Sequence, residues 1–392
     1  MAAVNQDEKF MMQALQLAQQ GTALSSPGAR VGAVVVDREG MVAGTGFYAY
    51  DGLQHAEALA LKQAGRRAQG GTLYVTLEPC SHHGRTPPCT DQVIAAGVSR
   101  VVAAISDPNP KVEGKGLSRL SAAGIQVETG LFGREARRLN ENFARYILNA
   151  RPLVIVKSAM TLDGKIAAAP SPTNGARSAT FITGPEARAH VQELRHEADA
   201  ILVGVGTVLA DDPLLTDRTG RPRRRPLLRV ILDSQLRLPL ESQLVATAAN
   251  DVVVFCSRPA ENKGRELGAR GVRVEQVMPC NADGRPGLRL VLERLGEMEI
   301  TSLLIEGGAQ VNGAALAAGI IDKVFFYYAA TVLGDKRSVA FSSGFNPVDP
   351  VRVSNVALHQ FGKDVAVEGY LRDPYVPLVD AETNKLKVGE RA

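Results

Sequence analysis

The chain has 392 residues, a formal net charge of +4, four cysteines, six histidines and no tryptophan. That length suits two domains better than one core, and no apolar run approaches the roughly 18 residues of a membrane span. Both halves carry only a small positive excess, which argues against the one-sided basic footprint of a nucleic-acid-binding domain.

The opening stretch, MAAVNQDEKFMMQALQLAQQG, has acids and glutamines where a secretory signal needs a basic start and an apolar centre. The expectation is a cytoplasmic protein whose thiols stay reduced, where clustered cysteines more often bind metal than pair. Phe10, Met11, Ala14, Leu15, Leu17 and Ala18 recur at helical spacing and stop at Gly21, predicting an amphipathic helix. VGAVVVD and GMVAGTGFY read as a hairpin. HAEALALKQAGRRA is helical, TLYVTLEP a strand, CTDQVIAAGV a helix, RVVAAISDP a strand, GKGLSRLSAAGI a helix and QVETGL a strand. One helix over Gly133–Asn149 closes this half. Alternation of this kind predicts a largely parallel sheet covered by helices.

Arg151-Pro152 marks the domain boundary, giving domains 1–150 and 151–375 and a polar tail, 376–392. The second half alternates again. A strand in ARPLVIVKSAMTLDGKIA precedes the helix PEARAHVQELRHEA, and AILVGVGTVL reads as strand and turn. LLRVILDS and DVVVFC are strands, GLRLVLERLGEME a helix, SLLIEGG a strand, VNGAALAAGI a helix and DKVFFYYAA a strand. The densest basic run, RPRRRP at 221–226, is flanked by prolines and reads as a solvated loop.

The residues with the most chemistry sit in EPCSHHGRTPPC, residues 78–89. His55 lies upstream in QHAEALAL, at a helix start, with Glu57 two residues on. One imidazole and two thiolates, His55, Cys80 and Cys89, make a three-ligand zinc sphere whose fourth position is left for water, the catalytic arrangement. Pro88 is well placed to open the helix that carries Cys89. Glu57 is too close in sequence to share the metal but near enough to move protons for the attacking water. A His-x-Glu followed by Pro-Cys and a second Cys is the pattern of zinc nucleobase deaminases. The eight-residue gap between the cysteines is longer than in many of them, so a chance loop and a structural zinc closed by His82 are the competing readings. Cys256 and Cys280, far away in sequence, read as ordinary thiols.

With TLEPCSHHGRTPPCTDQVIAAGV and SDPNPKVEGKG in view, the chain resembles the bifunctional riboflavin-biosynthesis family, diaminohydroxyphosphoribosylaminopyrimidine deaminase fused to 5-amino-6-(5-phosphoribosylamino)uracil reductase. The likeness runs from Asp7 to about Asp373. KSAMTLDGKIA, DAILVGVGTVLADDPLLTDR and LIEGG resemble the reductase half. The resemblance implies a cytidine-deaminase-like three-layer αβα domain followed by a dihydrofolate-reductase-like α/β domain. It implies His55, Cys80 and Cys89 as ligands of one zinc per chain, Glu57 as proton shuttle, and His82 and Arg85 against the substrate. In the second domain it implies NADPH lined by Ala159, Phe181, Thr207, Asp211, Ser234 and Gly308, Ala309, Gln310, Val311, Asn312, Gly313 and Ala314. Arg195, Leu214, Arg218 and Glu306 would face the substrate. The chain departs from the family at Gly28, where asparagine is usual, at Leu59 for a second histidine, at Phe181 for tryptophan and at Ala179 for serine.

The function expected is hydrolytic deamination of a phosphoribosylated diaminopyrimidinone, then NADPH-dependent reduction of its ribosyl unit to ribityl, by a homo-oligomer (dimer or tetramer) that engages neither nucleic acid nor membrane. Two rivals are a reductase with a vestigial, zinc-structural deaminase half and an RNA-binding module of deaminase-like fold, the latter disfavoured by the balanced charge.

Overall fold

In the computed structural model, which describes residues 5–84, 86–169, 181–258, 260–279 and 284–378, the chain divides into two units. One holds the chain up to Ala150, then Pro222–Arg225, then the chain from Tyr375 onward; the other holds Arg151–Arg221 and Pro226–Pro374.

The first unit is built from α1 (Gln6–Gln20), β1 (Gly32–Val36), β2 (Val42–Phe47), α2 (Ala56–Ala64), β3 (Thr72–Val75), α3 (Cys89–Ala95), β4 (Arg100–Ala103), α4 (Lys115–Ala122), β5 (Gln126–Thr129), α5 (Gly133–Leu139) and α6 (Glu141–Asn149). Its sheet runs β2-β1-β3-β4-β5. The expected largely parallel sheet is half antiparallel: β1 opposes both β2 and β3, and only β3, β4 and β5 run together. The tight connection of β1 to β2 imposes the first of these pairings, because a short hairpin joins only antiparallel neighbours.

Every residue of β1 is buried, since both faces of the sheet are covered. Phe10, Met11, Ala14 and Leu15 of α1 pack with Val34 and Val36 on one side. Ala56, Ala60, Leu61 and Ala64 of α2 pack with Ala33 and Val35 on the other. The layers are therefore helix, sheet, helix. Small residues set how close α2 lies. A Cβ on Gly44 would stand 2.1 Å from the Ala60 carbonyl oxygen, and one on Gly46 would stand 2.3 Å from that of Ala56. Helix and hairpin touch backbone to backbone, which fixes the helix start that carries the candidate ligand.

Three expectations are corrected. The single helix over 133–149 is two, broken at Asn140, which leaves helical geometry at φ −113° and ψ 19°. Its buried amide accepts from Arg30 N at 2.7 Å and donates to Arg30 O at 3.1 Å, a long-range pairing that outweighs helix continuity. The basic run is not a free solvated loop. Arg224 lies over the Tyr50 ring, pairs with Asp51 at 3.0 Å and donates to Ser26 O, while Arg225 reaches Ser26 Oγ. Third, the turn read after AILVG is a helix, Val205–Asp211, in the second unit. The start of the polar tail is held too: Tyr375 donates to Arg137 O, and Arg145 Nη1 donates to Val376 O. The tail beyond Leu378 lies outside the described residues.

The second unit contains β6 (Leu153–Thr161), β7 (Lys165–Ala167), α7 (Pro185–Glu197), β8 (Ala200–Gly204), α8 (Val205–Asp211), β9 (Leu228–Leu232), α9 (Gln243–Ala246), β10 (Val252–Cys256), α10 (Glu261–Ala269), β11 (Val272–Gln276), α11 (Leu288–Glu297), β12 (Ser302–Ile305), α12 (Ala309–Ala317), β13 (Lys323–Ala329), β14 (Val339–Ala340), β15 (Ser354–Phe361) and β16 (Asp364–Tyr370). Its nine strands run β11-β10-β9-β8-β12-β6-β13-β16-β15, with β7 and β14 paired separately. The seven strands from β11 to β13 are parallel; β16 and β15 continue antiparallel. Sequence reading missed α9, α10, β11, β14, β15 and β16. One face packs against α11 through Val291, Leu292 and Leu295, the other against Val208, Leu244, Val245 and Leu267 from α8, α9 and α10. Parallel strands buried on both faces read as continuous apolar runs, and VVVFC of β10, wholly buried, is one. No helix among the described residues is long and apolar enough to cross a membrane.

Candidate functional site

His55 is the N-cap residue of α2, extended at φ −69° and ψ 159°, so its ring projects off the helix start while Glu57 sits in the first turn. Cys89 is the first residue of α3; Pro88 takes the N-cap place rather than the first helical one. Cys80 follows β3 across Thr76-Leu77-Glu78-Pro79. These three elements bring His55, Cys80 and Cys89 together, with one ligand atom from each lying within 4.8 Å of the others. His55 Nδ1 is 3.1 Å from Cys89 Sγ and 3.6 Å from Cys80 Sγ, and the Cys89 amide donates to Cys80 Sγ at 3.4 Å.

The electrostatics suit a soft cation. The hydrogen bond from the Cys89 thiol, with His55 beside it, pulls the Cys80 thiol down to about 4, against the opposing effect of burial. The Cys89 thiol is pushed up by that same shared proton, by burial and by the Glu57 charge. A cation would stabilise both as thiolates. Glu57 is buried, and burial pushes its carboxyl up. His82 Nδ1 is buried without a hydrogen-bond partner, and His82 does not join the three-donor cluster. Arg85 lies outside the described residues.

A carboxylate that sequence reading left unused organises this site. Glu78, buried behind Pro79, accepts from the backbone amides of Asp107, Gly114, Gly116 and Leu117 at 2.8–3.2 Å. That is why SDPNPKVEGKG has its form: the loop wraps an anion with N–H groups, and a Cβ on Gly116 would meet the Pro79 carbonyl oxygen at 2.0 Å. The loop thereby sets where Pro79-Cys80 emerges. Asp107 on this loop is buried and pushed up to about 7 by that burial, with Glu78, Cys80 and Glu57 adding repulsion. At Gly28 the space is taken: a Cβ there would stand 2.8 Å from Tyr48 Cε1, and the Tyr48 ring meets His55 edge-on at 5.4 Å.

In the second unit, Ala159 of β6, Thr207 after β8, Ser234 after β9 and Gly308 after β12 follow one pattern. They stand at or just past the C-terminal ends of four adjoining parallel strands, the edge where open α/β sheets bind ligands. Gly308 is the N-cap residue of α12, with no side-chain cap and nothing within 4 Å of where a Cβ would be. Asn312 Oδ1 is buried without a partner while its Nδ2 donates to Phe341 O at 2.9 Å. Ala309, Gln310, Val311 and Ala314 are at least partly open. Gly313 faces inward instead: a Cβ there would strike the Ser343 carbonyl oxygen at 2.0 Å. Asp211 is exposed at the end of α8. Phe181 is 78% exposed under the Arg188 guanidinium. Ala179 and Cys280 lie outside the described residues.

Glu306 and Arg195 are brought together directly. Arg195 Nε and Nη2 donate to the two Glu306 oxygens at 2.7 and 3.1 Å, and Nη1 donates to Thr216 O. Lys157 Nζ, from β6, stands 3.5 Å from Glu306 Oε2. Burial works to raise the Glu306 carboxyl, but Lys157 and Arg195 overcome it and hold it at about 2. Lys157 belongs beside these residues as a candidate that sequence reading missed; its signal was a lysine inside an otherwise apolar strand. The segment carrying Leu214 and Arg218 is pinned by His196 Nδ1 to Asp217 at 2.8 Å and by Arg218 N to Gln192 Oε1 at 3.0 Å. Leu214 is half-buried and Arg218 exposed.

Comparison with known proteins covers both units. Residues 4–105 match the family described as the cytidine and deoxycytidylate deaminase zinc-binding region, and residues 152–367 match the RibD C-terminal domain. The riboflavin biosynthesis protein RibD of Aquifex aeolicus is 39% identical over 92% of this chain and 97% of its own. That of Escherichia coli is 38% identical over 92% and 98%. Among solved structures, Acinetobacter baumannii RibD superposes with a TM-score of 0.80 at 35% identity, covering 93% of this chain and 98% of that one. A diaminohydroxyphosphoribosylaminopyrimidine deaminase/5-amino-6-(5-phosphoribosylamino)uracil reductase from Thermotoga maritima gives 0.76 at 34% identity, covering 93% and 98%.

Proposed function

We propose, from the premise that the chain belongs to the RibD family of riboflavin-biosynthesis proteins, an assignment of its two chemistries to particular residues. The protein is a bifunctional enzyme. It deaminates 2,5-diamino-6-(5-phosphoribosylamino)pyrimidin-4(3H)-one to 5-amino-6-(5-phosphoribosylamino)uracil and then reduces the ribosyl unit to ribityl. The observation that carries the assignment is the convergence of one imidazole and two thiols beside a buried carboxylate.

That donor set, one nitrogen and two sulfurs, is a three-ligand catalytic zinc sphere, so His55, Cys80 and Cys89 would hold one zinc per chain. Zinc bound there supplies Lewis acidity toward water. Glu57 carries one proton of the attacking water to the ring nitrogen and then the second, from the added hydroxyl, to the departing amine, so that ammonia leaves as the carbonyl forms. His82, whose Nδ1 lacks a partner, and Arg85 contact the substrate. In the reductase domain, Ala159, Thr207, Ser234 and the start of α12 line NADPH, and the nicotinamide supplies the hydride. Arg195, Lys157 and Glu306 form a charged floor, with Leu214 and Arg218 on the segment beside it, where the ribosyl group is oriented. Asp211 and Phe181 complete the cofactor's surroundings.

The domains are 1–150 and 151–375, and the enzyme works in the cytoplasm as a homo-oligomer. The test is one incubation of purified protein with the diaminopyrimidinone phosphate, with and without NADPH. Ammonia release alone without NADPH, and a ribityl product with it, is the expected result. Reduction only of separately supplied deaminated substrate would overturn the assignment for the first domain.

A further inference from the structure

Two irregular segments of the first unit stand beside the three candidate donors without supplying one of them. Residues 24–31 carry Ser26 and Gly28, and residues 48–54 run directly into His55. Tyr48 joins them: a Cβ on Gly28 would stand 2.8 Å from its Cε1, and its ring meets that of His55 edge-on at 5.4 Å. Backbone bonds cross between them, Tyr48 N to Val31 O at 2.9 Å and Tyr50 N to Leu24 O at 3.0 Å. Apart from the single 3₁₀ turn Tyr50–Gly52, neither has helix or strand geometry of its own. Something else must hold this wall still.

The hold comes from far along the chain. Pro222–Arg225, between α8 and β9, is counted with the first unit. Arg224 touches both segments at once. Its backbone N–H donates to Ala23 O at 3.0 Å and its Nη1 to Ser26 O at 3.0 Å. On the other side its guanidinium lies 3.9 Å from the centre of the Tyr50 ring, with Nε 3.0 Å from Asp51. Arg225 adds a bond from Nη2 to Ser26 Oγ at 3.1 Å. Asp51 is 72% exposed, so its ion pair contributes little. The stacked ring and the bonds to buried Ser26 carry the hold. Arginine suits this place because its planar fork can stack on a ring while donating sideways, which the point charge of lysine cannot do.

We infer that Arg224, with Arg225 beside it, is a positioning residue of the deaminase reaction, fixing the wall of residues 26–28 and 48–51 against which the pyrimidine is held. The inference rests on the deaminase reading of the first unit. Its action falls on the wall and not on the metal donors. The start of α2, which carries His55, is set by the backbone approach of that helix to Gly44 and Gly46, while Cys80 and Cys89 come from other elements. Loosening the wall therefore weakens substrate binding more than it slows the chemical step. The first activity thus draws on residues outside 1–150.

The experiment measures ammonia release without NADPH by the full zinc-loaded chain and by Arg224→Ala, Arg224→Lys and Tyr50→Leu. Arg224→Ala should raise the KM for the diaminopyrimidinone phosphate about tenfold or more while kcat stays within about threefold. Zinc content, circular dichroism and reduction of separately supplied deaminated substrate should match the parent. Arg224→Lys should recover little of the loss. Tyr50→Leu keeps the arginine but removes its ring, and should show the same split at smaller size, so a folding failure of the alanine variant still leaves a readable test. Hydrogen exchange of the 22–31 and 48–54 amides should quicken in Arg224→Ala, with the α3 amides unchanged. A parent that releases ammonia, with Arg224→Ala at a KM within about threefold of it, overturns the inference alone. So does unchanged exchange of the wall, or loss of zinc along with activity. Full rescue by lysine also overturns it, since the residue would then be a point charge for the substrate phosphate. A parent that releases no ammonia overturns the deaminase reading, and the inference with it.

Discussion

Replacing Arg195 by leucine tests whether the charged floor of the second domain is an ion pair or a set of independent substrate contacts. The substitution removes both donors to Glu306 and leaves that buried carboxylate facing only Lys157 at 3.5 Å. Stripping one partner from a buried pair costs about 3–5 kcal/mol. The remaining lysine sets the expectation at the lower end, about 3 kcal/mol. Arg195→Leu/Glu306→Leu removes the stranded charge as well and should recover about half of that loss, short of full recovery because Lys157 is then unpaired. Urea unfolding followed by hydrogen exchange of peptides spanning β6 and β12 reads the second domain alone.

The same group gives a pH signature. The Glu306 carboxyl is held at about 2, below its ordinary 4.5. Its contribution is therefore fully present above pH 4.5 and is lost as the pH falls from there through about 2. At 1.36 kcal/mol per unit the window is worth about 3 kcal/mol. Glu306→Gln should flatten the acid limb of stability in that window and leave it unchanged above. If the double leucine variant is no more stable than Arg195→Leu, or if glutamine leaves the acid limb as steep as before, the pair is not what holds this carboxylate.

Cys80→Ser and Cys89→Ser should each abolish tight zinc binding and ammonia release together while NADPH-dependent reduction persists, as metal analysis and separate assays of the two steps would show. Glu57→Gln should keep zinc and reductase activity but lower deamination by roughly 10²–10⁴ or more; deamination within tenfold of the parent would remove Glu57 as the shuttle. Glu78→Ala, which strips the acceptor from four backbone amides, should destabilise the first domain by about 2–3 kcal/mol and weaken zinc retention through the displaced Pro79-Cys80 step. Asp163 accepts from Thr161 Oγ1, Leu333 N and Gly334 N. Asp163→Ala should therefore slow reduction by loosening the turn after β6 while leaving ammonia release near the parent rate.

The strands and helices legible in the sequence were those with one unbroken period. GAVVV and VVVFC are wholly buried runs, and the apolar spacing of α1 matches its buried face. What escaped were elements whose pattern is diluted or whose break comes from far away. β11 and β15 lie at the two ends of the sheet with few buried residues, so hydrophobic alternation barely marks them. The break at Asn140 depends on Arg30, 110 residues earlier, and no local propensity encodes it. The order of strands in the first sheet was half readable, because the hairpin fixes β1 against β2 while the placement of β3 on the other side of β1 depends on packing.

Site residues divided along the same line. A metal constellation is legible because its chemistry needs few residue types at telling positions: a histidine at a helix start, a cysteine after a strand, a cysteine opening the next helix. The structure supplies what spacing cannot, namely that all three donors lie within 4.8 Å. Glu78 carried no such mark, being one acid before a Pro-Cys step. Its role exists only because Asp107, Gly114, Gly116 and Leu117 return from 29 to 39 residues away to surround it. Lys157 was hidden differently, since one lysine in an apolar strand is unremarked until Glu306 is seen 3.5 Å away. Gly28 shows the reverse. A missing side chain reads as a loss in the sequence, yet in the structure Tyr48 occupies its place beside His55. The first site therefore keeps its three candidate ligands together while Tyr48 fills the space beside Gly28 and His55, so a difference in how this chain's deaminase holds the pyrimidine would lie at that wall rather than at the three donors.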